Sequence, residues 1–147
     1  MKRFSQYMMI PLLMFVSSAA DARDTIVRVS VEEAMTTEDA KVTLDVGVRF
    51  FFADQSYPDV VSRIGTYTAN KKTNAFNKSD QEACKWAFLS SMVSLQKRAL
   101  AEGGNAVVNI RSFYKKREFT SATEFECGAG AMVAGVTLVG DVVKLAE

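Results

Sequence analysis

The sequence holds no histidine. That absence removes Ser-His-Asp and Cys-His nucleophile arrangements, imidazole metal ligands and the commonest general base near neutral pH. Cysteine is nearly as scarce, with only Cys84 and Cys127. Two cysteines without histidine do not build an ordinary structural zinc site, which takes four nitrogen or sulfur ligands. Net charge is also small, +1 over 147 residues. Nucleic-acid binders usually carry a basic excess, so no nucleic-acid partner is expected. No G-x-x-x-x-G-K-[ST] loop is present to cradle phosphates, and no cofactor is expected.

What is present begins with a leader pattern. Lys2 and Arg3 precede the apolar run "YMMIPLLMFVSSAA", Tyr7 to Ala20, which is short for a spanning helix of about 20 apolar residues. Ala20-Asp21-Ala22 fits the small-x-small cleavage pattern. We read residues 1–22 as a signal peptide cut after Ala22, with a retained anchor as the alternative. No cysteine directly follows the run, so acylation of a new N-terminal cysteine is not expected. Loss of Lys2, Arg3 and Asp21 balances the 18 basic against the 17 acidic residues. Residues 23–147 amount to about 125, enough for a single domain. A periplasmic or secreted protein is expected, without stable membrane insertion after cleavage.

Periodicity then sets the elements. "DTIVRVS", Asp24 to Ser30, alternates as a strand, with Val27 and Val29 against Arg28 and Ser30. "VEEAMTTEDAK" is ambiguous, with a helical turn near Glu33 and Met35 and a break at Thr36-Thr37. "VTLDVGVRFFF", Val42 to Phe52, alternates with period two and predicts a strand, firm in its second half. Val60 to Ala69 predicts another strand, and "NKKTNAFNK" a polar turn. Ser79-Asp80-Gln81-Glu82 is a capping box, followed by Cys84, Phe88, Ser91, Met92, Leu95 and Ala99 on one helical face. Gly103-Gly104 stops that helix, giving roughly 33 Å of helix at 1.5 Å per residue. Asn105 to Tyr114 predicts a strand with Ala106, Val108 and Ile110 on one face. "TEFEC" is expected to pair back on it as a hairpin arm, and "GAGAMVAG" reads as loose. Gly135 to Leu145 closes the chain as a strand, with a bulge expected at Gly140. The pattern predicts one α+β domain: a long helix on a mostly antiparallel sheet of about four to six strands.

Cys84 falls on the buried helical face, and Cys127 ends a strand in the sheet beneath it. In an oxidising compartment the two suit a disulfide. A redox-active pair and free or intermolecular thiols remain as alternatives. A bond would close a loop of about 44 residues, worth roughly 4 kcal/mol in the chain-entropy account.

"TNAFNKSDQEACKWAF", "LQKRALAEGGNAVVNIRSFYKK" and "FECGAGAMVAGVTLVGDVVKL" carry a resemblance. They resemble a family of small secreted bacterial proteins sometimes labelled excinuclease ATPase subunit-like. The order of helix, strand, hairpin and closing strand over about residues 60–145 is similar to YbjQ-like and RcsF-like domains. That resemblance implies a disulfide tying helix to sheet at Cys84 and Cys127, envelope association and self-assembly. The chain lacks the phosphate loop that the ATPase label requires. It also lacks the lipidated cysteine and second disulfide of RcsF-type sensors, and the histidine that YbjQ-type metal binding would use.

The candidate interaction surface is basic and aromatic. Lys71, Lys72, Phe76 and Lys78 precede the long helix, and Tyr114, Lys115, Lys116 and Arg117 form the later turn. If the two segments are neighbours, lysines flank exposed rings, a surface suited to an anionic polymer, a lipid headgroup or an acidic partner. The alternative is solvated turn charges with the rings packed inward. Glu32-Glu33 and Glu124/Glu126 are the carboxylate pairs, and neither has a nucleophile beside it in sequence. The glycines of "GAGAMVAG" are expected to relieve crowding where the last strand passes the helix. Together these features predict a non-enzymatic interaction module that engages an unidentified envelope component or protein, or a second copy of itself. A small-molecule or metal-ion binding protein is the alternative.

Overall fold

The computed structural model describes residues 23–44 and 47–147. The expected cleavage after Ala22 lies outside them. The described chain runs β1 (Thr25–Ser30), α1 (Val31–Met35), α2 (Glu38–Thr43), β2 (Arg49–Phe52), β3 (Val60–Asn74), α3 (Asp80–Ala101), β4 (Ala106–Ser112), a 3-10 turn (Tyr114–Lys116), β5 (Glu124–Ala129) and β6 (Val133–Leu145). It is an α+β fold, with one long helix on a mixed sheet of six strands. Every strand pair is antiparallel except β2 with β4.

β6 organises the sheet. Along one edge it pairs with β3 throughout, from Val60↔Leu145 to Asn74↔Val133. Its other edge is shared. β4 takes the C-terminal half, from Ala106↔Val143 to Ser112↔Leu138, and β5 takes the N-terminal end at Gly128↔Gly135 and Ala129↔Ala134. β2 lies outside β4, and β1 outside β5. The sheet therefore forks beyond β6. Ser112 closes the crotch: its Oγ accepts the backbone N–H of Glu126 at 2.9 Å, satisfying a donor that the end of β4 leaves without a strand partner.

α3 forms where its capping box predicts. Ser79 Oγ accepts the Glu82 N–H at 3.1 Å, and Gly103 takes φ +78° just past the last turn. Cys84, Phe88, Ser91, Met92, Leu95 and Ala99 are all buried against the sheet. Phe88 stacks between Phe125 and Phe52, with ring centroids at 4.3 and 6.0 Å. Burying such a ring contributes about 1.5–3 kcal/mol. Ser91 Oγ donates to Val136 O at 3.0 Å, so the one hydroxyl in this seam is satisfied. Cys84 and Cys127 are bonded, both fully buried, and pin the first turns of α3 to β5. A smaller apolar layer lies on the reverse face, where Phe51, Tyr57 and Val60 cover Val108, Val143 and Leu145.

Several sequence expectations are corrected. Val42 and Thr43 belong to a helix capped by Thr37, whose Oγ1 accepts the Ala40 N–H, so only Arg49–Phe52 of the expected strand is extended. Asp45 and Val46 lie outside the described residues. Asn70–Asn74 continues β3 rather than turning, because β6 supplies partners along its whole length. The bulge expected at Gly140 sits opposite it in β4, where Asn109 has φ +51°. It turns Ile110 to the helix side with Val107, while Ala106 and Val108 face the reverse layer. "TEFEC" does not pair with β4. It pairs with β1, and only the bridge Ser112↔Phe119 remains of the expected hairpin. "GAGAMVAG" is the end of β5, a tight turn and the start of β6, not a loose segment.

Candidate interaction surface

The basic and aromatic residues fall into four places. The first is the turn Tyr114–Lys116, where Lys115 and Lys116 take φ of +51° and +62°. Left-handed backbone at non-glycine residues costs roughly 1–2 kcal/mol each, so the turn needs anchors. Tyr114 supplies one by lying flat on the reverse face of the β5–β6 hairpin. A Cβ at Gly128 would come within 2.2 Å of its ring, and one at Gly135 within 3.2 Å. Those two glycines make room for a ring on the face away from α3, not for the helix as the sequence suggested. Asp24 supplies the other anchor: it accepts from Tyr114 Oη at 3.1 Å and pairs with Lys115. The Lys115 ammonium holds the Asp24 carboxyl below its ordinary range, with Tyr114 helping and partial burial opposing. Burial and the Asp24 charge push the Tyr114 phenol upward. Lys72, on the same face, packs its stem beside Gly135 and adds its charge to the field on Asp24.

The second place is the end of the sheet where β3 turns into α3. The Ala75 N–H donates to Met132 O at 2.9 Å, and Asn74 pairs with Val133, so the β3–α3 turn and the β5–β6 turn lie side by side. Three large apolar side chains are exposed on these turns: Phe76 (56%), Met132 (60%) and Val133 (48%). Lys78 Nζ donates to Asn74 O at 2.9 Å, which keeps its charge beside them. Arg23 lies at the same end. Its carbonyl would stand 2.8 Å from a Cβ at Gly130, and its guanidinium grips Asp80 through two hydrogen bonds of 2.8 and 2.9 Å. That contact lowers the Asp80 carboxyl and raises the Arg23 guanidinium.

The third place is the helix side of β3. Lys71 points there, opposite to Lys72, and lines a cleft of about 540 Å³ with Trp86, Ser90, Ser94 and Lys97. The fourth is the outer part of the fork, where Arg117 and Arg28 reach the same oxygen of the buried Glu126 at 3.3 and 3.6 Å. Arg28 also stacks on the Phe119 ring at 4.2 Å. Lys116 is exposed.

The two loops named from sequence therefore meet in part. Lys72, Tyr114 and Lys115 gather around Asp24, and Phe76 and Lys78 share an apolar end. Lys71 faces the other way, and Arg117 is engaged with Glu126. Tyr114 packs inward, whereas Phe76 does not. Sequence reasoning missed Asp24, Met132 and Val133. The latter two stand in the glycine-rich stretch, where Met-Val between glycines is a signal for an exposed apolar turn. Of the acidic pairs, Glu124 and Glu126 share a face but only Glu126 is buried, and Glu33 pairs with Lys85 at 3.2 Å. Among the described residues no three His, Cys, Asp or Glu side chains converge on a metal-sized site, and no helix is long and apolar enough to cross a membrane. No protein-family model, curated protein or solved structure matches the chain.

Proposed function

We propose that this chain is a non-enzymatic interaction module of the periplasm, or of another oxidising compartment outside the cytosol, that works in association with the envelope. One observation carries the reading: Phe76, Met132 and Val133 stand exposed together at one end of the domain, beside Lys78, whose ammonium is held there by the Asn74 carbonyl and takes part in no ion pair among the described residues. Apolar groups clustered at one place and rimmed by polar residues mark a surface that meets something else. The buried Cys84–Cys127 bond supports the compartment, because such bonds persist where thiols are not kept reduced. The resemblance to RcsF-like domains, with helix tied to sheet, supports the same reading.

A photoreactive residue at Met132, in cells exporting the protein, tests it. Val61, exposed at the opposite end of β3, is the control. Adducts are expected from position 132 and not from 61. Equal labelling, or none at either site, refutes the interaction surface. The mass of the exported chain reports the N-terminus, expected at Arg23.

A second reading, a small-molecule binding protein, is favoured by the cleft beside Trp86, where an indole, two serines and two lysines converge. Native mass spectrometry of protein taken from the periplasm tests it, and an unadorned mass excludes it.

A further inference from the structure

We propose that the partner of the apolar end is an anionic membrane surface, with Phe76, Met132 and Val133 entering the headgroup region and Lys71, Lys72 and Lys78 meeting lipid charge. This rests on the interaction-module reading and names the partner class.

The charge balance at this end is one-sided. None of the three lysines takes part in an ion pair among the described residues. The carboxylates on the segments that meet here are mostly spoken for: Asp80 by Arg23 and Asp24 by Lys115. Glu82 has no cation within ion-pair distance among the described residues. Lys71 and Lys72 pair with Val136 and Gly135, near the last rung of β3, and they point to opposite faces of the sheet. A lysine stem is long enough to carry its ammonium along apolar surface, and these two flank the tip from opposite faces of the sheet. A ring of cations around a small apolar tip is the pattern of peripheral attachment to anionic lipid, where each lysine near the surface adds attraction and the apolar groups add burial.

Arg23, the first described residue, lies against the Gly130 turn at this end. A second copy of the chain fits less well. The three side chains expose on the order of 300 Å², far below the ~800 Å² per partner of a stable interface. A two-fold contact would also set the lysines of one copy against those of the other.

The test uses the exported chain, its mass read first, with every comparison made between chains of the same N-terminus. Co-sedimentation is measured with phosphatidylcholine vesicles and with phosphatidylcholine–phosphatidylglycerol vesicles. Binding is expected on the anionic vesicles only, weakening as salt rises. Lys72→Glu combined with Lys78→Glu is expected to lower partitioning by more than about tenfold. Phe76→Ser, Met132→Ser and Val133→Ser together should abolish it, with near-ultraviolet circular dichroism unchanged because all three are exposed. Val61→Ser should bind like the parent. Equal binding to both vesicle types, no binding to either, or tip variants that bind like the parent would overturn the proposal. If vesicles are ignored while position 132 still crosslinks to a protein in cells, the lipid assignment falls and the interaction module stands. If neither occurs, both fall.

Discussion

Glu126 is 1% exposed, while the two arginines that reach its Oε2 are 51% and 60% exposed. The ion pair is therefore lopsided, and its two sides should respond differently to removal. Glu126→Gln keeps the volume, deletes the buried charge and releases two guanidinium groups that already stand largely in water. The loss is that of ordinary hydrogen bonds, about 1 kcal/mol. Replacing both Arg28 and Arg117 with methionine keeps much of the apolar stem but strands a carboxylate in the sheet without a counterion. Breaking a buried pair in that direction costs about 3–5 kcal/mol. Some of the Arg28 loss belongs to its stacking on Phe119, about 0.5–1 kcal/mol. The triple variant separates the two, because without the carboxylate only the stacking term remains. Urea unfolding followed by far-ultraviolet circular dichroism reads all three. With a slope of about 1.5 kcal/mol per molar, the arginine double variant should shift the midpoint down by about 2 M and Glu126→Gln by less than 1 M. The triple variant should recover most of the difference. If Glu126→Gln is the more damaging change, or if the triple is worse than the arginine double, the argument from unequal burial is wrong.

Replacing Cys84 and Cys127 with alanine should lower stability by about 4 kcal/mol, the entropy of the closed loop, measured by urea unfolding. In the parent, dithiothreitol should leave the bond intact until denaturant opens the domain, because both cysteines are fully buried; rapid alkylation of native protein after reductant would contradict that. Gly128→Ala forces a methyl group into the Tyr114 ring and should cost roughly 1–3 kcal/mol. Most of that cost should vanish in a Tyr114→Ala background, a non-additivity that a double-mutant cycle detects. The Tyr114 phenol is raised in the fold, so its protonated form is favoured there. The stability it contributes is complete below the ordinary tyrosine range of about 10 and is lost as pH rises through the raised value. An absorbance titration of the folded protein should show a late phase that Tyr114→Phe removes.

α3 was legible because three local signals agree: Ser79 with Glu82 at the start, the stripe from Cys84 to Ala99, and Gly103 at the end. The helix-to-sheet disulfide followed from where that stripe put Cys84. Val42 and Leu44 misled because a six-residue helix shows less than two turns, and two apolar residues two apart then look like a strand. The bulge at Asn109 was hidden because β4 is largely buried on both faces, so Ala106, Val108 and Ile110 looked like one continuous face across the point where the faces exchange. The partner of β5 was hidden for a different reason. It depends on which strand β6 accepts along each half of one edge, a competition between distant segments. The surface was half legible. Lysines and aromatics marked the two loops, but Asp24, which gathers Tyr114 and Lys115, lies about ninety residues away in sequence and carries no local mark of that role.

The fork of the sheet has a bearing on when the chain can fold. β6 follows every other strand, yet it alone joins the β4–β2 arm, the β5–β1 arm and the long β3 edge. Until β6 has emerged from the ribosome, the arms have no common spine. A polypeptide built this way reaches its closed form only after β6 has emerged, so the two arms and the long β3 edge stay open until the last strand joins them.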